Sequence, residues 1–540
     1  MSHLSRTSLI FKTLRMKSSG VMCNYQRIFL LFFFLLVACT FNKPAPPLTG
    51  LEKSNYLNLT SLAEISSFLN ALSLRNDFAK QVIIGTSALG NPLNALLISK
   101  ERKFLKEGHS SPNKMTVVLI GAQHGMEPSG TEALLVLARD LAGGRLNFYL
   151  DDMDFVIIPV SNPDGKNANL RANGNRINIS TNFSLLSEPE TQALYDIVCA
   201  YKPAVILDIH ESAVFKKKTL ARQGYLIDFE AQWEAANNPN VDSRIRSFSF
   251  GILLPEIITL VNHRGLRAQR YIGEITDIHR TITHGGLSLR NLRNLGGMLG
   301  AFSFLLENRL DPSAGRYPTP RNIRERFSKQ YLSISSFLSV CQKHKKKILT
   351  ISRKARNQWK DKNKKLLFLF FGYGPEPNQP NITIPLKKIE TNELVSHSFR
   401  YYSKVIRGVP FIPPAGYIVT SHYSIMKEFL DRHHIAYQEA ALSFLVPVIR
   451  QKVVGRKTVI RGKGQDTSEY TIRERNGEYL LHKGDLIIPL NQPAQKRISL
   501  FLEPKSLSCI FNSSEYSRLV EDTTDFFIYR VTNEGSCGFE

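Results

Sequence analysis

This chain of 540 residues has few cysteines, and none of its six is spaced like the ligand pairs of a structural metal cluster. A cysteine-built zinc module is therefore not expected. No glycine-rich, phosphate-cradling loop and no nucleic-acid motif occurs, so nucleic acid is not an expected partner. No internal repeat is evident, which argues against a solenoid or propeller. Acidic residues are scarce, with 46 Asp and Glu against 70 Lys and Arg, for a net charge of +24. Such a field favours anionic surfaces such as phospholipid headgroups, lipopolysaccharide, wall polymers or acidic peptides. The excess is spread through both halves, so a lysine-rich proteome is the bland account of it. The run Lys216-Lys-Lys218 reads as a solvated loop.

A long apolar run is also lacking. The stretch Ile28–Ala38 is too short for the roughly 20 residues of a membrane-spanning helix. Arg27 precedes it and Cys39 follows, the layout of a secretory signal peptide, with a short membrane anchor as the alternative. Leu36-Val-Ala-Cys39 resembles a bacterial lipobox, which implies lipidation of Cys39. Thr40 after it points to the periplasmic face of an outer membrane, and Met16 or Met22 is an alternative start. Outside the leader stand Cys199, Cys341, Cys509 and Cys537, which allow three pairings. Cys199, late in a predicted helix, reads as a buried thiol, and Cys509 with Cys537 is the one pairing considered.

The informative residues lie where apolar runs stop. Met115–Ile120 is followed by Gly121-Ala-Gln-His-Gly-Met-Glu-Pro-Ser-Gly130, which sets His124 and Glu127 three residues apart. A second run, Ala204–Ile209, ends in His210, and a third, Ala301–Leu306, ends in Glu307. Two imidazoles and a carboxylate supply three N/O ligands to zinc and leave a fourth position for water. In open α/β sheets ligands bind at strand carboxyl ends, where these residues fall. A lone His-x-x-Glu is weak evidence. Three such positions in this order are not. The expectation is one zinc per chain on His124, Glu127 and His210, with Glu307 as base.

With these residues in place, the chain resembles the carboxypeptidase A-like zinc metallopeptidases (funnelins). Ile84-Gly-Thr-Ser87 with Gly90-Asn-Pro-Leu93, Asn162-Pro-Asp-Gly165, Glu188-Pro-Glu-Thr191 and Ser303-Phe-Leu-Leu-Glu307 are similar to family segments. The likeness covers roughly residues 55–345. It implies a mixed-sheet α/β catalytic domain with helices on both faces, the same three ligands and the same base. One segment departs from the pattern Arg-x-Asn-x-x-Gly-x-Asp-x-Asn-Arg-Asn-Phe. Here it reads Arg171-Ala-Asn-Gly-Asn-Arg-Ile-Asn-Ile-Ser180-Thr181-Asn-Phe183. Arg171 matches the upstream arginine and is a candidate to polarise the scissile carbonyl. Ser180 and Thr181 stand where Asn-Arg would grip a terminal carboxylate, and a hydroxyl cannot replace a bidentate guanidinium. Arg176 is the nearest substitute. No tyrosine lies between Tyr271 and Glu307, where the family often has one. His279 and His284 read as structural or substrate-facing.

The organisation expected is a leader over 1–39, a tether over 40–54, the catalytic domain over 55–345 and a smaller β-rich (α+β) domain over 346–540. Helix is predicted over Arg321–Lys347. Strands are predicted at Gly416–Thr420, Phe444–Arg450, Tyr470–Arg475, Asp485–Pro489 and Ser499–Leu502. The resemblance implies a peptide hydrolase, either carboxypeptidase-like or a peptidoglycan stem-peptide amidase, acting on peptide or murein-peptide substrates and held to the membrane by its lipid. The alternative is a degenerate surface lipoprotein used for binding.

Overall fold

The computed structural model describes residues 46–540 apart from 109–110, 214–218, 310–321, 361–365, 462–464, 521–523 and 533–540, and omits the side chains of 458–468. The leader with Cys39, the Lys216-Lys-Lys218 run and Cys537 thus lie outside the described residues.

In chain order the first strands are β1 (Ala79–Thr86), β2 (Pro92–Ile98), β3 (Met115–Gly121), β4 (Met153–Ile158), β5 (Val205–Ser212), β6 (Tyr225–Ile227), β7 (Ala231–Ala235), β8 (Ala268–Arg270) and β9 (Phe302–Arg309). All but β6 form one sheet, ordered β1-β2-β4-β3-β5-β9-β7-β8. Strands β4, β3, β5 and β9 run parallel at its centre. Parallel strands are covered on both faces and so read as continuous apolar runs. All of β3 is buried. Its alternate residues serve two cores. Val117 and Leu119 pack with Leu134 of helix Pro128–Gly143 and Phe337 of helix Ile323–Lys343. Val118 and Ile120 face the other way, with Leu194 of helix Pro189–Tyr201 and Leu292 of helix Leu292–Met298. This is the mixed α/β sheet, helices on both faces, that the resemblance implied.

The second core runs on into the C-terminal region through Tyr417, Phe429, Ile488 and Phe511. That region holds a six-stranded sheet with a long antiparallel hairpin, Leu445–Arg461 and Gln465–Leu480. Strand Asn381–Lys388 pairs with β6, Leu386 opposite Ile227. The predicted strand Ser499–Leu502 is instead the end of helix Gln495–Leu502. Ile498, Leu500, Phe501 and Leu502 are all buried, and a short apolar run buried all round carries no period to separate strand from helix. The helix predicted over Arg321–Lys347 is Ile323–Lys343, and a second helix, Lys345–Arg356, takes up much of the basic stretch after it. Near the N-terminus Thr49 caps the short helix Gly50–Lys53, and Glu52 pairs with Arg139 at 2.7 Å.

Candidate metal centre

The period of two along a strand places the site. In β5 Asp208 and His210 share a face, as do Leu305 and Glu307 in β9. The parallel register sets His210 directly beside Glu307. Strand β3 ends next to β5, Gly121 opposite Ile209, and delivers the loop with His124 and Glu127. Pro128 then opens a helix, so Glu127 occupies its N-cap position. The loop is pressed onto the Asn162-Pro-Asp-Gly165 turn. A Cβ at Gly125 would lie 2.0 Å from the carbonyl carbon of Gly165, which is why this position takes glycine. Asn162 stitches the turn, accepting from Gly165 N at 2.8 Å and donating to Gln123 O at 3.2 Å.

His124, Glu127 and His210 are each about 3% exposed, and their ligand atoms lie within 4.8 Å of one another. His124 Nδ1 is 2.7 Å from Glu127 Oε1, His210 Nδ1 is 2.9 Å from Glu127 Oε2, and the two Nδ1 atoms are 3.0 Å apart. The far ring nitrogens are occupied. His210 Nε2 is 3.1 Å from Asp208 Oδ1. His124 Nε2 is 2.8 Å from Ser180 Oγ and 3.2 Å from Asn178 Oδ1. Ser180 in turn donates to Asn178 Oδ1 at 2.9 Å, so its oxygen is free to accept from His124. Donation outward through each Nε2–H leaves both Nδ1 lone pairs facing a carboxylate. A cation between them would take both lone pairs, and an N, O, N set of two imidazoles and one carboxylate suits zinc. The centre fits one zinc ion per chain.

The charges agree with the burial. Burial lowers the His124 pKa to about 4, keeping the ring neutral. Burial also opposes a charge on His210, but Asp208 and Glu127 outweigh it and raise its pKa well above the ordinary value. Burial disfavours the Glu127 anion, yet the two imidazoles hold its pKa well below the ordinary range. Glu307 is raised, mainly by burial. Its Oε2 accepts from Ser212 Oγ at 2.5 Å.

Other residues read from the sequence fall as follows. Arg171 Nη1 is 3.5 Å from Glu127 Oε1, with the side chain 41% exposed. Ser180 touches His124, whereas Thr181 Oγ1 donates back to Asn178 O at 3.2 Å. Arg176 is exposed, with φ 62°, the left-handed conformation that the glycine of the family pattern adopts freely at this position. His284 is buried between Tyr271 O and Tyr401 OH, and His279 is exposed. Neither joins the trio. Sequence reasoning missed Asp208, Asn178, Ser212 and Tyr271. Tyr271 is held protonated, its pKa raised by burial and then by Glu307, which places the phenol in that carboxylate's field. Asp208 was detectable, since it precedes His210 by two on the same strand.

Residues 65–182, which include His124 and Glu127, match the zinc carboxypeptidase family model. That segment is similar to the zinc carboxypeptidases. Carboxypeptidase 2 of Trichophyton rubrum is 27% identical over 203 residues, 37% of this chain and 38% of the relative. An inactive metallocarboxypeptidase of Saccharomyces cerevisiae is 34% identical over 87 residues, 15% of this chain and 19% of its own length. The chain thus spans less than half the length of these relatives. Among solved structures, carboxypeptidase A from Helicoverpa armigera aligns at 16% identity with a TM-score of 0.42, covering 59% of this chain and 81% of that one.

The contact between Asp208 and His210 gives a first prediction for this domain. Asp208→Asn removes the charge that orients the ligand imidazole, and zinc affinity is expected to fall by about 10–100-fold. Competition titration against a chelator measures it. An unchanged affinity would show that Asp208 does not orient the ligand.

Proposed function

We propose that the chain is a zinc-dependent peptide hydrolase, carboxypeptidase-like or a peptidoglycan stem-peptide amidase. The observation that carries this reading is the convergence of His124, Glu127 and His210 with Glu307 beside them in register. Bound zinc supplies a Lewis acid and brings water into its nucleophilic range near neutral pH. The chain's own groups do the rest. Glu307 accepts the proton of the attacking water on its carboxylate and passes it to the leaving amine. Ser212 holds Oε2 of that carboxylate, leaving Oε1 for the transfer. Arg171, half exposed beside Glu127, donates toward the oxyanion that develops at the carbonyl.

Substrate choice follows from the altered clamp. Thr181 bonds its own backbone turn and Arg176 is exposed. Losing a charge-assisted bidentate contact removes much of the gain from a free C-terminus. Matched peptides with free and amidated C-termini are therefore expected to differ in kcat/KM by less than about tenfold. Steady-state kinetics on the zinc-loaded protein, run beside murein fragments, measures this. A preference above about a hundredfold for the free carboxylate would mean that another cation grips it. The second reading, a metal-bearing binder without turnover, is favoured by the Ser180-Thr181 replacement. It predicts bound zinc and no hydrolysis across the same panel.

A further inference from the structure

A cavity lies at the opposite end of the sheet from the metal centre. It has a volume of about 540 Å³ and is bounded by Pro203, just before β5, and by Gly300-Ala301, just before β9. His210 is seven residues further along from Pro203, roughly 23 Å at about 3.3 Å per strand residue. Six cationic side chains line this cavity: Lys202, Arg353, Arg356, Lys360, Lys496 and Arg497. Among the described residues the single carboxylate in the lining is Asp242, and its two oxygens already take Arg244 at 2.9 and 2.6 Å.

Among the described residues two of the cations, Arg497, which is buried, and Arg356, which is half-buried, have no acid beside them. Arg497 is 6% exposed, and its guanidinium donates to the Tyr195 hydroxyl at 2.5 Å while lying over that ring. Arg356 donates to the backbone carbonyl of Pro203. Among the described residues, no carboxylate comes within ion-pair distance of either one. Arg356 instead faces Arg353, and burial together with that like charge lowers its pKa to about 10. Lys496 is held by Gln358 Oε1 at 2.8 Å and Asn240 O at 3.3 Å, which fixes its ammonium at the wall. Buried guanidinium groups are costly unless an anion accompanies them. Several converging cations suit an anion of more than one charge with several acceptor oxygens, which a single carboxylate does not provide. Trp359, Met298 and Leu299 add an apolar wall beside the charges, and the volume exceeds what a lone ion needs.

We propose that this cavity binds a phosphate-bearing ligand, either a soluble organic phosphate or the phosphate headgroup of a lipid. The site is separate from the metal centre and does not depend on hydrolysis.

The test uses the full chain and pyrophosphate in calorimetry at about 0.15 M salt, where the general positive field is screened. Saturable binding of one pyrophosphate is expected. Arg353→Gln and Lys360→Gln, both exposed at the cavity and tolerable to the fold, should each weaken it about tenfold. Lys354→Gln, one residue along the same helix and outside the lining, should leave it unchanged. Flotation with phosphatidylcholine vesicles, with and without phosphatidic acid, distinguishes the sources. Pyrophosphate binding sensitive to the two lining variants supports a soluble phosphate. Vesicle binding that needs phosphatidic acid and Arg353, without pyrophosphate binding, supports a headgroup. Binding of neither probe, or binding lost equally in Lys354→Gln, overturns the proposal.

Discussion

Glu307→Gln is expected to lower kcat by about 10²–10⁴-fold while leaving one zinc bound per chain. Glutamine matches glutamate in shape, and its carbonyl oxygen can still accept from Ser212, so β9 and its register with β5 should survive. What disappears is the proton acceptor. Glu307 lies outside the ligand trio, so metal content should not follow activity. The check pairs single-turnover kinetics with metal analysis on one sample. Near-normal kcat would place the base elsewhere. Loss of zinc would show that Glu307 holds the metal.

Arg326→Ala is expected to destabilise the protein by about 3–5 kcal/mol, because it removes the guanidinium that faces a buried carboxylate. Arg326, from helix Ile323–Lys343, meets Glu211 through Nε at 2.9 Å and Nη2 at 3.0 Å, with both side chains almost fully buried. Glu211 follows ligand His210, and its Oε2 accepts from Ser129 N at 3.0 Å, two residues past ligand Glu127. The pair therefore ties together the two chain segments that carry the candidate metal ligands. Gln330 on the same helix donates to His210 O at 2.8 Å and adds to that hold. Urea unfolding of the metal-free protein measures the loss. The double variant Glu211→Gln with Arg326→Met should recover part of it, since it removes both buried charges together. A loss under about 1 kcal/mol in Arg326→Ala would mean that water or another cation reaches Glu211.

The sequence made the central strands and the three candidate ligands legible for a shared reason. Strands buried on both faces are continuous apolar runs, and polar residues that end such runs stand out. The same logic placed Glu307. It could not reach groups that meet only through register or packing. Ser212 finds Glu307 across neighbouring strands, Ser180 and Asn178 reach His124 from more than 50 residues away, and Arg326 arrives on a helix over 100 residues after Glu211. Each is a common polar residue with no local pattern to mark it. The left-handed φ of Arg176 is a backbone feature that its spacing did not encode. The helix ending at Leu502 was misread because a fully buried apolar run looks alike in helix and strand.

Anomalous diffraction at the zinc absorption edge, on crystals of the metal-loaded protein, tests the central claim most directly. The account predicts one peak, about 2.0–2.2 Å from His124 Nδ1, from a carboxylate oxygen of Glu127 and from His210 Nδ1. A peak that leaves out His210, or no peak between these three residues, would contradict it.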